Sequence, residues 1–186
     1  DHWRMDDIVK AALKKWPNVP ACRGWLALDA RGEWYMRDDR IQAAGPFPAV
    51  KGSRITHDKL REFIHRNYEA DNEGQWYFQN GPQRVYVELE ATPWVWRVRS
   101  RGPSQAPEVV SHTGRSVGEV QASLVDEAGR LYLVTGLGPG IVHTQDMHDA
   151  AQAIEDGLWV PEAVRSDDLP ARYGYVRSPQ AAQAQA

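Results

Sequence analysis

Three stretches of this chain share one pattern and decide its fold: residues 29–36 (DARGEWYM), 71–78 (DNEGQWYF) and 126–133 (DEAGRLYL). Each stretch has the form Asp-x-x-Gly-x-apolar-Tyr-apolar. Aspartate at the first position and glycine at the fourth suit a type I turn, in which the glycine can take the positive φ of a bulged hairpin. The pattern therefore predicts a tight turn that leads into a strand, used three times. It describes architecture and carries no catalytic chemistry.

The composition is that of an ordinary globular protein. With 186 residues, of which 42% are hydrophobic and 25% charged, the chain can form one domain or two small packed subdomains. A formal net charge of −3 gives no electrostatic basis for binding nucleic acid or an anionic membrane. No apolar run approaches the ~18 residues that a membrane span needs. We therefore expect neither nucleic acid nor a membrane as partner.

The chain has a single cysteine, Cys22. One cysteine excludes an intramolecular disulfide and a metal site made of cysteines alone, which indicates a reducing compartment. We therefore expect a cytoplasmic protein. A chain that begins at Asp1 indicates processing or trimming, so the question of a removed leader stays open.

Periodicity predicts about three helices and a set of strands. Within residues 5–16, apolar residues recur at helical spacing up to Pro17, which predicts a helix. Two further helices are expected to begin at Thr56 and Thr144, whose hydroxyls can cap them. Residues 85–90 and 94–99 alternate with period two, which gives each strand one dry and one wet face. The prediction is an α+β fold with antiparallel sheet.

Aromatic residues are abundant, with eight tryptophans and seven tyrosines. Aromatic side chains favour pleated, half-buried surfaces, so their expected role is to fill the core. The tryptophans of the predicted strands are Trp25, Trp34, Trp76, Trp94 and Trp96.

The first and third stretches are alike beyond the turn. Each is followed by a strand, a loop, a short apolar strand and a Thr with Asp two residues later, which suggests a duplicated βββα unit. Chance coincidence of common turns and caps is the alternative. The expected organisation, within what is expected to be one compact domain, is residues 1–100 with the first unit and an aromatic meander, a linker at 101–118, the second unit at 119–175 and a disordered tail at 176–186.

The densest polar cluster is residues 143–149 (HTQDMHD). Imidazole and carboxylate are ligands of zinc and non-haem iron, which makes His143, Asp146 and His148 candidate catalytic residues. Their spacing matches no established metal motif. The alternative is structural, because Asp146 and Asp149 lie where a helix dipole favours acids.

Two further features suggest binding chemistry only weakly. The glycine-rich residues 136–140 could cradle an anion, but a bend between strands explains them equally. Tryptophans alternate with arginines in residues 94–101, as in a single-stranded nucleic-acid platform. The two types fall on opposite strand faces, where Glu88 and Glu90 could counter the arginines.

The run from Trp25 to Val98, with its GEWYMRDDR and PWVWRV segments, resembles proteobacterial hypothetical proteins of unassigned function. The resemblance extends to the DEAGRLYLVT and HTQDMHDAAQAIEDG segments and so to most of the chain. A family of unknown function implies no mechanism.

The sequence therefore predicts a non-catalytic cytoplasmic module that binds a protein or a small molecule, with no cofactor and no metal. The alternative is a metal-assisted hydrolase that uses His143, Asp146 and His148. Whether the protein is an enzyme, and its oligomeric state, stay open.

Overall fold

The computed structural model of the protein describes residues 5–185. The described chain forms two compact units, of which the first contains residues 5–29, 33–90 and 175–185 and the second contains residues 30–32 and 91–174. This division differs from the one expected at residues 101–118. The aromatic strand at 94–99 belongs to the second unit, and the C-terminal residues return to the first.

The elements of the described residues alternate irregularly between helix and strand. The helices are α1 (Asp7–Lys15), α2 (Asp39–Ala44), α3 (Asp58–Arg66), α4 (Met147–Glu155), α5 (Leu169–Tyr173) and α6 (Pro179–Ala184). The strands are β1 (Cys22–Leu28), β2 (Trp34–Met36), β3 (Ser53–Arg54), β4 (Tyr68–Ala70), β5 (Trp76–Asn80), β6 (Gln83–Leu89), β7 (Trp94–Arg99), β8 (Glu108–Ser111), β9 (Val120–Val125), β10 (Leu131–Thr135), β11 (Gly138–Val142) and β12 (Glu162–Ala163). Short 3₁₀ segments lie at Thr144–Asp146 and Ser166–Asp168.

Each unit has one sheet of six strands. The first sheet has the order β3-β2-β1-β6-β5-β4 and the second the order β12-β9-β10-β11-β7-β8. Most neighbours are antiparallel, but β1 pairs with β6, β11 with β7 and β12 with β9 in parallel. The fold is therefore α+β with largely antiparallel sheets, as the sequence predicts. The three predicted helices are present as α1, α3 and α4, and three shorter helices accompany them.

The three Asp-x-x-Gly stretches form the predicted turns. Gly32, Gly74 and Gly129 have φ values of 81°, 78° and 78°. In each turn one oxygen of the aspartate accepts a backbone N–H, as Asp126 Oδ1 does from Ala128 at 2.9 Å. The second oxygen accepts a tyrosine hydroxyl, so that each turn is tied to a strand by a buried or half-buried side chain.

The donor tyrosine differs between the turns. Tyr35 donates to Asp29 at 2.9 Å and Tyr132 to Asp126 at 2.7 Å, so the tyrosine shared by the pattern serves in the first and third turns. In the second turn, Tyr86 of β6 donates to Asp71 at 2.9 Å. The first and third turns are therefore alike in detail.

Both units contain three strands that pair antiparallel in chain order and precede a helix. These are β1-β2-β3 with α3 and β9-β10-β11 with α4. In the second unit the element order is the predicted βββα, but in the first unit α2 lies between β2 and β3, so that the order is ββαβα. Duplication of the unit stays a prediction.

The helix caps differ from the expected threonines. His57 Nδ1, one residue after Thr56, accepts the N–H of Leu60 at 3.3 Å at the start of α3. His143 Nδ1, one residue before Thr144, accepts the N–H of Gln145 at 3.1 Å. A neutral imidazole offers an acceptor nitrogen, so histidine can take the place of the usual hydroxyl cap.

The C-terminal residues are ordered on the first sheet rather than forming the expected disordered tail. Helix α6 covers the face of β6 that the alternation assigned to solvent, and Glu88 on that face is 6% exposed. The carboxylate of Glu88 accepts the hydroxyl of Ser178 and, at 3.1 Å, the N–H of Gln180. These polar contacts hold the C-terminal segment on the sheet. Its alanine-rich composition gives no sign of them.

The segment expected as a linker also contains structure. Strand β8 lies within residues 101–118 and pairs with β7, with Val109 opposite Val98 and buried. The small polar residues of 101–118 are typical of a linker, yet the segment contains a short strand at the edge of the sheet.

Of the five strand tryptophans, three are buried, Trp76 is half-buried and Trp25 is exposed. Trp34, Trp94 and Trp96 are at most 2% exposed, which confirms their predicted role in the core. Trp25 is 36% exposed and does not fill the core. Within residues 5–185, no helix is both long enough and apolar enough to cross a membrane.

Candidate functional site

The first unit contains an apolar pocket between helix α3 and one face of its sheet. The pocket has a volume of about 270 Å³. Most of its lining is apolar, from Trp25, Leu26, Met36, Ile55, Leu60, Ile64, Phe78 and Val85. Cys22 and Asn80 complete the lining.

The local sequence explains how these side chains meet. Leu60 and Ile64 lie four residues apart on α3 and therefore share a helix face. Phe78 and Asn80 lie two residues apart on β5 and therefore share a sheet face. Val85 of β6 pairs with Phe78 and lies on the same face. The gap between the helix and the sheet is the pocket.

An irregularity in β1 brings two consecutive residues to the pocket. Neighbouring strand residues normally face opposite sides of a sheet, yet Trp25 and Leu26 both line the pocket. The register of β1 against β6 shifts between Cys22 and Leu26, and Gly24 within this stretch has a φ of 87°. A bulge of this kind redirects a side chain, here the indole of Trp25.

Three large apolar side chains of the pocket are open to water. Trp25 is 36%, Leu60 39% and Met36 47% exposed. Single exposed apolar residues are common, but three around one concavity form a patch. Patches of this kind mark binding sites.

The pocket is electrically neutral. Among residues 5–185, no Asp, Glu, His, Lys or Arg lines it. Burial raises the pKa of the Cys22 thiol, which is therefore protonated at neutral pH. The carboxamide of Asn80 and the thiol of Cys22 are the polar side-chain groups of the lining apart from the indole N–H of Trp25.

The cluster predicted at residues 143–149 lies in the second unit and is held by structural bonds. Asp146 accepts two hydrogen bonds from Arg97, at 2.7 and 3.1 Å, and one from the backbone N–H of Val98 at 2.9 Å. Burial alone raises the pKa of Asp146, but the bonds from Arg97 and Val98 outweigh it and hold the pKa below its ordinary value. His143 is buried with Nδ1 on Gln145, and His148 is exposed.

This geometry favours the structural interpretation of the cluster. Asp149 accepts the N–H of Ser100 at 2.9 Å, so Asp146 and Asp149 both attach the start of α4 to β7 and the residues after it. Among residues 5–185, no group of three His, Cys, Asp or Glu side chains is placed to hold a metal ion. The hydrolase alternative with His143, Asp146 and His148 gains no support from these contacts.

The glycine-rich residues 136–140 form the bend after β10 and the first half of β11. Thr135 pairs with Gly138 across a two-residue loop, and the indole N–H of Trp94 donates to the carbonyl of Leu137 at 2.9 Å. A Cβ atom at Gly140 would collide with the indole of Trp96. Close packing of tryptophan therefore accounts for glycine at this position.

The tryptophans and arginines of β7 do not form a nucleic-acid platform. Trp94 and Trp96 are buried and stack on each other, with ring centroids 6.1 Å apart, so their faces are not offered to a base. Arg97 pairs with Asp146. The expected pairing of Arg97 and Arg99 with Glu88 and Glu90 is wrong, because β6 lies in the first sheet and β7 in the second.

The sequence alone did not reveal the pocket. Local patterns predict the apolar stripe of α3 and the alternation of β6, but the expected core position of Trp25 is wrong. The signal that points to the pocket is Gly24 directly before Trp25, since a glycine inside a strand pattern often marks a bulge.

Comparison with known proteins places the chain in a family. The family model DUF2944, described as "Protein of unknown function (DUF2946)", matches residues 5–180, and the chain belongs to this family. This confirms the resemblance to a family of unknown function. No curated protein matches the chain.

Two solved structures are similar to it. A DUF1285 family protein from Silicibacter pomeroyi DSS-3 has 14% sequence identity and a TM-score of 0.49, over 80% of this chain and 76% of the other. A DUF1285 family protein from Shewanella baltica OS155 has 15% identity and a TM-score of 0.46, over 68% of this chain and 90% of the other.

Proposed function

We propose that the protein is a binding module that takes a small apolar molecule into the pocket of its first unit. The observation that supports this proposal is the exposure of Trp25, Met36 and Leu60 around a preformed concavity. Exposed apolar side chains lower solubility, and a ligand that covers them removes this cost. Apolar lining with few polar groups is typical of small-molecule sites.

The volume of the pocket sets the size of the ligand. An apolar cavity of about 150 Å³ holds benzene, so about 270 Å³ holds roughly ten non-hydrogen atoms. Small ligands gain between about 0.3 and 1.5 kcal/mol per atom. At about 0.5 kcal/mol per atom, ten atoms contribute about 5 kcal/mol, which corresponds to a Kd of roughly 0.2 mM.

The proposed role is non-catalytic. Cys22 is the only thiol of the sequence, and no described residue that could act as its general base lines the pocket. A raised pKa makes this thiol a poor nucleophile. A cytoplasmic location and a proteobacterial origin remain part of the proposal.

The proposal can be tested with 2-naphthol, an uncharged ring compound of the right size. We expect saturable shifts in two-dimensional NMR spectra at the backbone amides of Leu26, Leu60 and Phe78. We also expect 2-naphthol to slow the alkylation of Cys22 by N-ethylmaleimide, since this thiol lines the pocket. No saturable binding, or binding that leaves the alkylation rate unchanged, would contradict the proposal.

A matched pair of variants locates the site. Leu60→Lys places a charge in the pocket, and Leu158→Lys places one at an almost equally exposed leucine of the second unit, at 42% against 39%. We expect Leu60→Lys to weaken 2-naphthol binding at least fivefold and Leu158→Lys to leave it unchanged. Equal binding to both variants would place the ligand elsewhere.

A further inference from the structure

We infer that the pocket selects uncharged ring compounds that carry one hydrogen-bonding group, which the carboxamide of Asn80 receives. This inference rests on the proposed function and names the ligand class of the same site. Three features of the lining support it: its lack of charge, the position of Asn80 and the aromatic character of its walls.

The lack of charge argues against ionic ligands. A carboxylate or ammonium group that enters the pocket loses water and meets no opposite charge there, because no basic or acidic side chain from the described part of the chain lines it. The protonated thiol of Cys22 does not compensate for this loss. An uncharged molecule enters without this penalty.

Asn80 supplies the polar contact. It is the last residue of β5, its side chain is exposed, and it lines the pocket on the same sheet face as Phe78. Asn80 pairs with Gln83 through its backbone, and within residues 5–185 its carboxamide makes no hydrogen bond with another protein group, so its donor and acceptor are available. A hydroxyl, amide or carbonyl group at the pocket entrance can bond to either.

The walls favour a flat ring over an aliphatic chain. The indole of Trp25 and the ring of Phe78 both line the pocket, and aromatic rings pack well edge-to-face or offset against another ring. The thioether of Met36 adds a polarizable group that makes favourable contacts with aromatic rings.

Three probes with the same ring system separate these features: naphthalene, 2-naphthol and 2-naphthoate. Their Kd values are measured by NMR titration at pH 7 with the full chain. We expect 2-naphthol to bind two- to tenfold more tightly than naphthalene, because it adds one hydrogen bond. We expect 2-naphthoate to bind at least tenfold more weakly than 2-naphthol. We expect 1-octanol, an aliphatic chain with the same head group, to bind more weakly than 2-naphthol.

Substitution of Asn80 tests the hydrogen bond. Asn80→Leu keeps the size of the side chain and removes its donor and acceptor, so naphthalene and 2-naphthol should bind this variant about equally. Undiminished naphthalene binding shows that the variant is folded. Asn72→Leu, at an exposed asparagine outside the pocket, should keep the preference for 2-naphthol.

The outcomes separate this inference from the proposed function. If none of the probes binds, the proposed function fails and the inference fails with it. If the probes bind but 2-naphthoate is as tight as 2-naphthol, the pocket takes acids, and only the inference is overturned. Binding of 1-octanol as tight as that of 2-naphthol, or an unchanged preference for 2-naphthol in Asn80→Leu, also overturns only the inference.

Discussion

The indole N–H of Trp34 donates a hydrogen bond to Nε2 of His65 at 2.8 Å. Trp34 is fully buried in the first unit, and His65 lies on α3. The bond needs the neutral imidazole, because a protonated Nε2 has no acceptor site. Burial, and to a smaller extent the charge of Arg61, lower the pKa of His65 from 6.5 to about 4.

This bond predicts a loss of stability in mild acid. The pKa of His65 is lower in the folded than in the unfolded state, so the unfolded state takes up the proton first as the pH falls. The stabilisation is therefore complete above pH 6.5 and is lost progressively between pH 6.5 and 4. At ~1.4 kcal/mol per pKa unit, the loss reaches up to roughly 3 kcal/mol. Urea denaturation at several pH values measures it.

Two variants identify the histidine responsible. His65→Gln should remove most of the pH dependence in this range, whereas His148→Gln, at an exposed histidine, should preserve it. A pH dependence that survives in His65→Gln would assign the effect to another group.

The turn glycines should resist β-branched residues. Gly129 has a φ of 78°, and no atom lies within 4 Å of the point that a Cβ would occupy, so a side chain there meets backbone strain without a steric collision. We expect Gly129→Val to lower the free energy of unfolding by about 1–2 kcal/mol. Gly118→Val, at an equally open glycine without a positive φ, should change it by less than about 0.5 kcal/mol. Equal effects in urea denaturation would refute the turn explanation.

The tyrosine of the third turn should contribute to stability. Tyr132 is 1% exposed and donates to the buried carboxylate of Asp126 at 2.7 Å. We expect Tyr132→Phe to cost about 1–2 kcal/mol, since a hydrogen bond to a charged group is lost. Tyr35→Phe should cost less, because Tyr35 is only half-buried. Thermal and urea denaturation of both variants give the comparison, and a larger loss in Tyr35→Phe would contradict it.

The C-terminal segment should be required for full stability. Truncation after Val176 removes the Ser178 and Gln180 donors from the buried carboxylate of Glu88. The shortened chain loses these hydrogen bonds to a charged group together with the packing of α6 on β6, so we expect Tm to fall by about 5 °C or more. Truncation after Ala184 keeps these contacts and serves as the control. An unchanged Tm after the longer truncation would mean that α6 does not stabilise the sheet.

Local patterns in the sequence were enough to predict the turns and the longer helices. The turns depend on an aspartate and a glycine three residues apart, and α3 depends on a stripe within nine residues. Such features are determined by neighbours along the chain. The alternation of β6 is also predictable, but the face that carries Glu88 is expected to contact solvent and is instead covered by α6.

The remaining features depend on contacts between distant residues. Glu88 is buried by Ser178, ninety residues away along the chain. The pocket depends on how far α3 stands from the sheet and on the shifted register of β1, neither of which has a periodic signal. For the cluster at 143–149, residue type suggested metal chemistry, whereas the position of Arg97 makes Asp146 a structural group.

The return of residues 175–185 to the first unit has a consequence for biosynthesis. During translation the whole second unit leaves the ribosome before the first unit has its last segment. The first sheet therefore lacks α6, and the face of β6 around Glu88 is uncovered, at a time when the second unit can already fold. We expect nascent chains that are held by an added C-terminal arrest sequence, so that Gly174 has just left the exit tunnel, to contain a protease-resistant second unit and a first unit that is still cleaved.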